Sequence, residues 1–226
     1  MLTAIPVRCK SSDRPVSSGK IQIGPTMIKC VFFDFDGVLR HWDPGIYGIE
    51  EKFGIPLAAV RAAAFSKDSV QPAVLGEITD EEWRSNVTAR LATLYPDKDA
   101  QGVVNHWSSF TGELVPEVLS IIKECRAVTK VPLFSNATSR LNQDLKDLGI
   151  DDLFDYVVNA SEVGSAKPEP EIYHHALKLA GIQPNEAFFV DDTEHMISTA
   201  VQLGWTGYLF GTAARLRAAL VDAGVL

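Results

Sequence analysis

The chain has 226 residues, of which 46% are hydrophobic and 22% are charged. This composition excludes a protein that is disordered over most of its length, and the length favours one domain with an insertion. The 21 basic and 29 acidic residues give a formal net charge of −8. That charge argues against nucleic acid or an anionic membrane surface as a partner, because both bind basic surfaces.

The N-terminal segment, residues 1–26, is rich in Ser and Pro and has no clear hydrophobic period, which predicts a flexible tail. Charged residues interrupt the segment, so it lacks the apolar core of a signal peptide. No apolar run approaches the ~18–20 residues that cross a bilayer. The three cysteines, Cys9, Cys30 and Cys125, form no Cys-x-x-Cys pair, which excludes a disulfide framework or a zinc ribbon and favours a reducing compartment. We expect a cytoplasmic protein.

Short apolar runs alternate with helical patterns after the tail. Runs that are apolar on both faces predict strands buried in a parallel sheet. Helices between them are indicated by Pro116, which opens one, and by Gly149, which ends another. The alternation predicts an α/β fold with a doubly wound, mainly parallel sheet. The predicted strands are residues 30–33, 131–134, 156–158, 187–190 and 207–210.

One long segment, residues 43–112, interrupts the alternation. It contains no convincing strand and is typical of about four helices, one of which begins with a capping box formed by Thr79 and Glu82. We therefore expect a helical insertion in an α/β core made of residues 27–42 and 113–226.

Side chains of this insertion are predicted to divide between its interior and solvent. Trp42, Trp83 and Trp107 are expected to pack inside it. The acidic residues around Asp80 and Glu81 are expected to form a solvated helix start, where they favour the helix dipole.

Polar residues follow three of the predicted strands and occupy one loop. Because the carboxyl ends of parallel strands meet at one edge of the sheet, these side chains are expected to lie together. Gly37 lies among them and lets the backbone approach a ligand closely. The polar residues are Asp34, Asp36, Ser135, Asn136, Lys167, Asp191 and Asp192.

Charge repulsion indicates what such a cluster needs. Two like charges about 4 Å apart repel by roughly 4 kcal/mol at an effective dielectric of about 20. Lys167 supplies one positive charge, and a hard divalent cation with oxygen ligands would supply two more, which favours Mg²⁺. The histidines form no metal-ligand pattern, so zinc is disfavoured.

The order of these motifs resembles the haloacid dehalogenase-like (HAD) phosphohydrolase superfamily over roughly residues 27–212. The insertion is similar to the small helical cap of that family. A stretch from Asp147 to Tyr173 is similar to small-molecule phosphatases related to the N-terminal phosphatase domain of epoxide hydrolase. The motifs that carry the resemblance are Asp34-Phe35-Asp36-Gly37-Val38, Ser135-Asn136, Lys167-Pro168 and Asp191-Asp192.

The resemblance implies a Mg²⁺-dependent phosphatase that acts on a small phosphorylated metabolite through an aspartyl-phosphate. Asp34 would be the nucleophile, and Asp36 would be the general acid and then the general base. The metal would be held by Asp34, the Asp36 backbone carbonyl and Asp192, with Asp191 acting mainly through metal-bound water.

The phosphoryl group would be bound by Ser135, the Asn136 backbone, Gly37 and Lys167, and Lys167 would also hold the nucleophile. One position departs from the pattern: Met196 stands where relatives often carry Asn or Asp, four residues after the metal-binding Asp192.

Three alternatives stay open: a phosphosugar mutase, a catalytically silent phosphate-binding protein and a signalling module. Dehalogenases of the family lack an acid where Asp36 stands, so Asp36 favours an oxygen leaving group. In a receiver-like signalling module the acidic pair precedes the phosphorylated Asp, whereas here the pair Asp191-Asp192 comes last. The sequence names neither the metabolite nor the oligomeric state, including whether the chain forms a homo-oligomer.

Overall fold

The computed structural model describes residues 27–42 and 48–226. The tail predicted for residues 1–26 lies outside the described residues. Within them, five parallel strands form a central sheet in the order β5-β4-β1-β6-β7. The strands of the sheet are β1 (Cys30–Phe33), β4 (Leu133–Ser135), β5 (Val157–Asn159), β6 (Ala187–Asp191) and β7 (Thr206–Leu209).

Two further short strands, β2 (Arg40–His41) and β3 (Glu113–Leu114), pair antiparallel. A 3-10 helix covers Pro184–Glu186. The α-helices are α1 (Ile49–Phe53), α2 (Leu57–Phe65), α3 (Lys67–Val74), α4 (Asp80–Leu94), α5 (Ala100–Ser108), α6 (Pro116–Arg126), α7 (Leu141–Asp147), α8 (Ala160–Val163), α9 (Pro170–Ala180), α10 (Glu194–Gln202) and α11 (Ala213–Asp222).

The central strand β1 shows why the sheet is covered on both faces. All four of its residues are buried, and successive side chains point to opposite faces. Phe32 packs with Phe134 and Phe189 in one core, whereas Val31 and Phe33 belong to a second core formed with α6, α7 and α11. The prediction of a doubly wound parallel α/β fold is therefore confirmed.

Two strands differ in detail from the sequence prediction. Pro132 precedes β4 rather than joining it, as expected for a residue that cannot donate a backbone hydrogen bond to a central ladder. The strand β7 is only partly buried, because it lies at the edge of the sheet and has a neighbour on one side alone.

Among the described residues between β2 and β3 there are five helices, α1 to α5, where about four were predicted. We call residues 49–108 the helical insertion. Trp83 and Trp107 pack edge-to-face inside it, with ring centroids 5.4 Å apart, and the capping box of Thr79 and Glu82 is present. These expectations are confirmed.

The expectation for Asp80 is wrong. Asp80 begins α4 but is only 3% exposed, because its carboxylate faces the loop that follows β4. The Thr138 hydroxyl donates to Asp80 Oδ1 at 2.7 Å, the Asp80 backbone N–H donates to Ser139 Oγ at 3.0 Å, and Arg84 pairs with the other carboxylate oxygen. This acid joins the insertion to the sheet.

In the part of the chain that the structure describes, no helix combines the length and the apolar character needed to cross a membrane.

Candidate active site

The acidic residues meet where β1 and β6 end. These strands pair in parallel, with Phe33 opposite Val190, so Asp34 and Asp191 leave the sheet side by side. Oxygen atoms of Asp34, Asp191 and Asp192 all lie within 4.8 Å of one another. The parallel register thus brings together residues that are more than 150 positions apart in the sequence.

Lys167 lies at the centre of this cluster. Its Nζ donates to Asp34 Oδ1 at 2.9 Å and to Asp191 Oδ2 at 2.7 Å, and it also donates to the Phe134 carbonyl at 2.9 Å. The side chain is almost fully buried, and Nζ lies 5.1 Å from the ring centroid of Phe134 and 5.1 Å from that of Phe189. The ammonium therefore has one fixed position between the two carboxylates.

The loop that carries Lys167 is held by Asn136. The Asn136 amide donates to the Lys167 carbonyl at 2.7 Å and accepts from the Lys167 backbone N–H at 2.8 Å. Ser135, the last residue of β4, is 3% exposed and pairs in register with Asn159. The Asn136 side chain thus positions Lys167. The backbone N–H of Asn136 is therefore the group of that residue that could donate to a ligand.

Gly37 approaches the acidic cluster from the loop after β1. Its φ of +88° is a conformation that favours glycine, and a Cβ there would lie 2.0 Å from Asp192 Oδ2. Asp192 can occupy its place only because residue 37 has no side chain.

The carboxylate of Asp36 is held by two neighbours that the sequence did not identify as partners. Arg40 donates through Nε to Oδ1 at 2.7 Å and through Nη2 to Oδ2 at 3.1 Å, and the Trp42 indole donates to Oδ1 at 2.7 Å. Trp42 thus contacts a residue of the proposed site, which its assignment to the interior of the insertion did not foresee. Neither partner has a sequence signal, because residues 36–42 lie outside any helix and no helical spacing therefore predicts which of their side chains meet.

Burial and charge act together on the buried acids. Desolvation raises the pKa of Asp34 to about 8, Lys167 opposes this rise, and the neighbouring Asp191 adds to it. Burial disfavours the charged form of Lys167, but Asp191 and Asp34 outweigh it and raise the pKa of the ammonium. Burial raises the pKa of Asp36 as well, but Arg40 and the indole of Trp42 bring it below its usual range. Below about pH 8, Asp34 therefore retains a proton when no metal ion is bound, whereas Lys167 remains charged.

This arrangement fits a magnesium ion. Three carboxylates face one ammonium, so negative charge is in excess when all of them are ionised. The donor atoms are all oxygen, as Mg²⁺ prefers, and the exposed Asp192 leaves room for the waters that this ion retains. An added cation would replace the proton that Asp34 otherwise holds.

Comparison with known proteins agrees with this geometry. The family model of the haloacid dehalogenase-like hydrolases matches residues 28–204, and the chain belongs to that family. Haloacid dehalogenase-like hydrolase domain-containing protein 3 of Mus musculus is 32% identical over 126 residues, 51% of this chain and 50% of that protein. The chain thus spans about half the length of this relative. D-ribitol-5-phosphate phosphatase of Bacteroides thetaiotaomicron is 26% identical over 192 residues, 79% of this chain and 90% of that protein.

Solved structures share the fold. A HAD family enzyme of Bacteroides thetaiotaomicron in complex with magnesium and inorganic phosphate has a TM-score of 0.66 and 26% identity, over 80% of this chain and 93% of that one. L-2-haloacid dehalogenase of Xanthobacter autotrophicus has a TM-score of 0.60 and 21% identity, over 88% of this chain and 85% of that one. The chain is thus similar in sequence to a phosphatase and shares its fold with a dehalogenase.

Proposed function

We propose that this chain is a Mg²⁺-dependent phosphatase that hydrolyses a small phosphorylated metabolite through an aspartyl-phosphate. The observation that carries the proposal is the position of Lys167 Nζ, 2.9 Å from Asp34 Oδ1 and 2.7 Å from Asp191 Oδ2, beside Asp192. One fixed cation and three carboxylates form a site that can hold both a divalent metal and a phosphoryl group.

Asp34 is the nucleophile in this proposal. Lys167 holds Oδ1, which leaves Oδ2 to attack phosphorus in line while the bond to the leaving oxygen breaks. Mg²⁺, held by Asp34, Asp192 and the Asp36 backbone carbonyl, with Asp191 acting through water, would neutralise charge on the phosphoryl group when bound. Lys167, the Ser135 hydroxyl and the backbone N–H of Asn136 would bind the phosphoryl oxygens. Gly37, whose own N–H donates to the Arg40 carbonyl at 2.9 Å, would let the backbone come close to the phosphoryl group.

Arg40 keeps the pKa of Asp36 below its usual range in the free protein, so Asp36 would take up a proton from solvent when the anionic phosphate binds beside it, because added negative charge favours the protonated form. Asp36 then gives this proton to the leaving oxygen and accepts one from the water that attacks the aspartyl-phosphate. A halide leaves without a proton, so a second acid at this place has no task in dehalogenation. The presence of Asp36 supports the assignment to phosphatases rather than to dehalogenases.

The helical insertion would act as a cap that excludes water and selects the metabolite. We place the cap at residues 43–112 and the core at residues 27–42 and 113–226. The contact between Asp80 and Thr138 supports this arrangement, because it holds the insertion over the loop after β4. The buried, unpaired thiols of Cys30 and Cys125 support a reducing compartment, the cytoplasm.

The test is phosphate release from p-nitrophenyl phosphate and a panel of metabolite phosphates, with and without Mg²⁺. We expect Mg²⁺-dependent release that the Asp34→Asn variant reduces to background. Asp68→Asn is the matched control, because Asp68 lies on the surface of the insertion with a side chain 72% exposed.

Other outcomes assign the alternatives. Interconversion of sugar phosphates with little free phosphate indicates a mutase, and chloride release from L-2-chloropropionate indicates a dehalogenase. Phosphate binding without turnover of any compound indicates a silent binding protein.

A further inference from the structure

Arg40 is a buried arginine, 2% exposed, at the point where the chain leaves the sheet for the helical insertion. Its Nε and Nη2 contact the two carboxylate oxygens of Asp36 at 2.7 and 3.1 Å. Such a two-point contact fixes the plane of a carboxylate as well as its distance, which a single ammonium does not do. Arg40 therefore determines how the Asp36 carboxyl group is oriented.

The remaining nitrogen of Arg40 is anchored on the core. Nη1 donates to Asp144 Oδ2 in α7 at 2.9 Å and to the Thr111 carbonyl at 3.3 Å. Arg140 holds the other oxygen of Asp144 at 2.8 Å. Asp144 thus joins two arginines, of which only Arg40 reaches Asp36.

Packing confines Arg40 from the sides. The guanidinium carbon lies 4.0 Å from the ring centroid of Phe35 and 4.5 Å from that of Trp42. A Cβ at Gly112 would lie 2.8 Å from Arg40 Cγ. The segment that returns from the insertion to β3 therefore also packs against the Arg40 side chain. With hydrogen bonds at every nitrogen and two aromatic rings against its guanidinium group, Arg40 has a single arrangement.

We propose that Arg40 is a positioning residue of the phosphatase reaction, which holds the Asp36 carboxyl group in place for proton transfer to the leaving oxygen. Asp36 Oδ1 accepts from Arg40 and Trp42, whereas Oδ2 accepts only from Arg40 among the described residues. A carboxylate oxygen accepts two hydrogen bonds, so Oδ2 retains one site for the transferred proton.

The proton step depends on this placement. As the bond between phosphorus and the leaving oxygen breaks, its electron pair goes to that oxygen, which takes the proton from Asp36 Oδ2 and leaves Asp36 as a carboxylate. Displacing a catalytic group by about 1 Å can cost a hundredfold in rate. Without the Arg40 side chain, the Trp42 indole would be the one remaining side-chain donor to the Asp36 carboxylate among the described residues.

The inference rests on the proposed function and is tested through the leaving group. Phenyl phosphate and p-nitrophenyl phosphate have similar sizes, but phenol has a pKa of about 10, like tyrosine, whereas p-nitrophenol is far more acidic and needs little protonation. General acid catalysis contributes about 10²- to 10⁴-fold. We expect Arg40→Met to lower kcat for phenyl phosphate at least about tenfold more than kcat for p-nitrophenyl phosphate, with KM for both nearly unchanged.

Arg140→Met is the matched control, because Arg140 binds the same Asp144 without touching Asp36. It should keep the wild-type ratio of the two kcat values. Arg40→Lys retains a cation but loses the two-point contact, and we expect it to shift the ratio in the same direction as Arg40→Met. If circular dichroism shows that Arg40→Met does not fold, Arg40→Lys decides the question.

Equal losses on both substrates in the folded Arg40 variants, or an equal change of the ratio in Arg140→Met, would overturn the positioning role while the phosphatase assignment stands. A wild-type chain without Mg²⁺-dependent release on either substrate would instead refute the proposed function, and this role with it.

Discussion

The carboxylate of Asp192 occupies the space in which residue 37 would carry a side chain: a Cβ on Gly37 would lie 2.0 Å from Asp192 Oδ2. The two residues come from loops after different strands, β1 and β6, and each limits what the other can be. This contact fixes the distance between the first acidic motif and the last.

Gly37→Ala is expected to weaken Mg²⁺ binding. The left-handed backbone costs an alanine about 1–2 kcal/mol, and the Cβ also displaces Asp192. We expect a loss of that size in the free energy of unfolding and a fall in Mg²⁺ affinity of about 10- to 100-fold, measured by denaturant titration and calorimetry. In the control Gly149→Ala, φ is +66° and nothing lies within 4 Å of the added Cβ, so stability should fall while Mg²⁺ affinity stays unchanged. Equal affinities in both variants would contradict the prediction.

Lys167→Met is expected to destabilise the fold most strongly above about pH 8, where Asp34 is ionised and two buried carboxylates are left without a counter-charge. Removing one partner of a buried ion pair costs about 3 kcal/mol or more. The loss should be smaller at pH 5, where a proton can neutralise Asp34. The control is Arg217→Met, which breaks the surface pair of Arg217 and Glu124 and should cost less than about 1 kcal/mol. Urea unfolding at two pH values measures the loss of stability in both variants. A loss in Lys167→Met that does not depend on pH would contradict the prediction that Lys167 neutralises both carboxylates.

Mg²⁺ affinity is expected to rise with pH up to about 8. The pKa of Asp34 is raised to about 8 in the metal-free protein, chiefly by burial, so Mg²⁺ displaces a proton below that pH. Release of one proton corresponds to about a tenfold gain in affinity per pH unit, and the gain should end above pH 8. Calorimetric titrations between pH 6 and 9 test this, and Asp34→Asn should remove the dependence.

The same shift predicts how the stability of the metal-free protein changes with pH. The pKa of Asp34 is 3.8 without the fold and about 8 within it, so the folded state binds the extra proton between these values. The stabilisation is fully present below about pH 4 and is lost as pH rises through 8. Thermal melts in chelator should show this fall, and saturating Mg²⁺ should reduce it. A melting temperature that rises over this pH range because of Asp34 would mean that folding lowers the pKa of Asp34, which would contradict the prediction.

Thr138→Val is expected to loosen the join between the helical insertion and the sheet. It removes the donor to Asp80 Oδ1, and an unpaired buried acceptor costs about 1–3 kcal/mol. The control Thr88→Val removes a hydroxyl that bonds only to the Arg84 carbonyl of its own helix and should change stability by no more than about 0.5 kcal/mol. If the two variants unfold at the same denaturant concentration, the Asp80 contact contributes nothing to the join.

The sequence was sufficient to predict the sheet and its acidic edge, because both follow from local patterns. Runs such as residues 30–33 and 187–190 are apolar on both faces, and a parallel sheet brings the residues after them to one edge. The sequence alone therefore predicts that Asp34 and Asp192 lie close together.

The contacts of Arg40, Trp42 and Asp80 could not be predicted in the same way. Arg40 meets Asp144 across 104 positions, and Asp80 meets Thr138 across 58. No periodicity links residues at such distances, and an acid at a helix start is equally compatible with solvent. These pairs depend on how segments that are distant in the sequence pack against one another, which local patterns do not encode.

The ribbon of β2 and β3 has a consequence for how such enzymes diverge. Arg40 lies opposite Leu114, and His41 lies opposite Glu113. The two connections between the sheet and the five helices therefore lie side by side. A segment of another length or shape could therefore connect β2 to β3 without moving the ends of the sheet strands. Natural variation can therefore exchange the proposed cap while the acidic residues at the strand ends are kept.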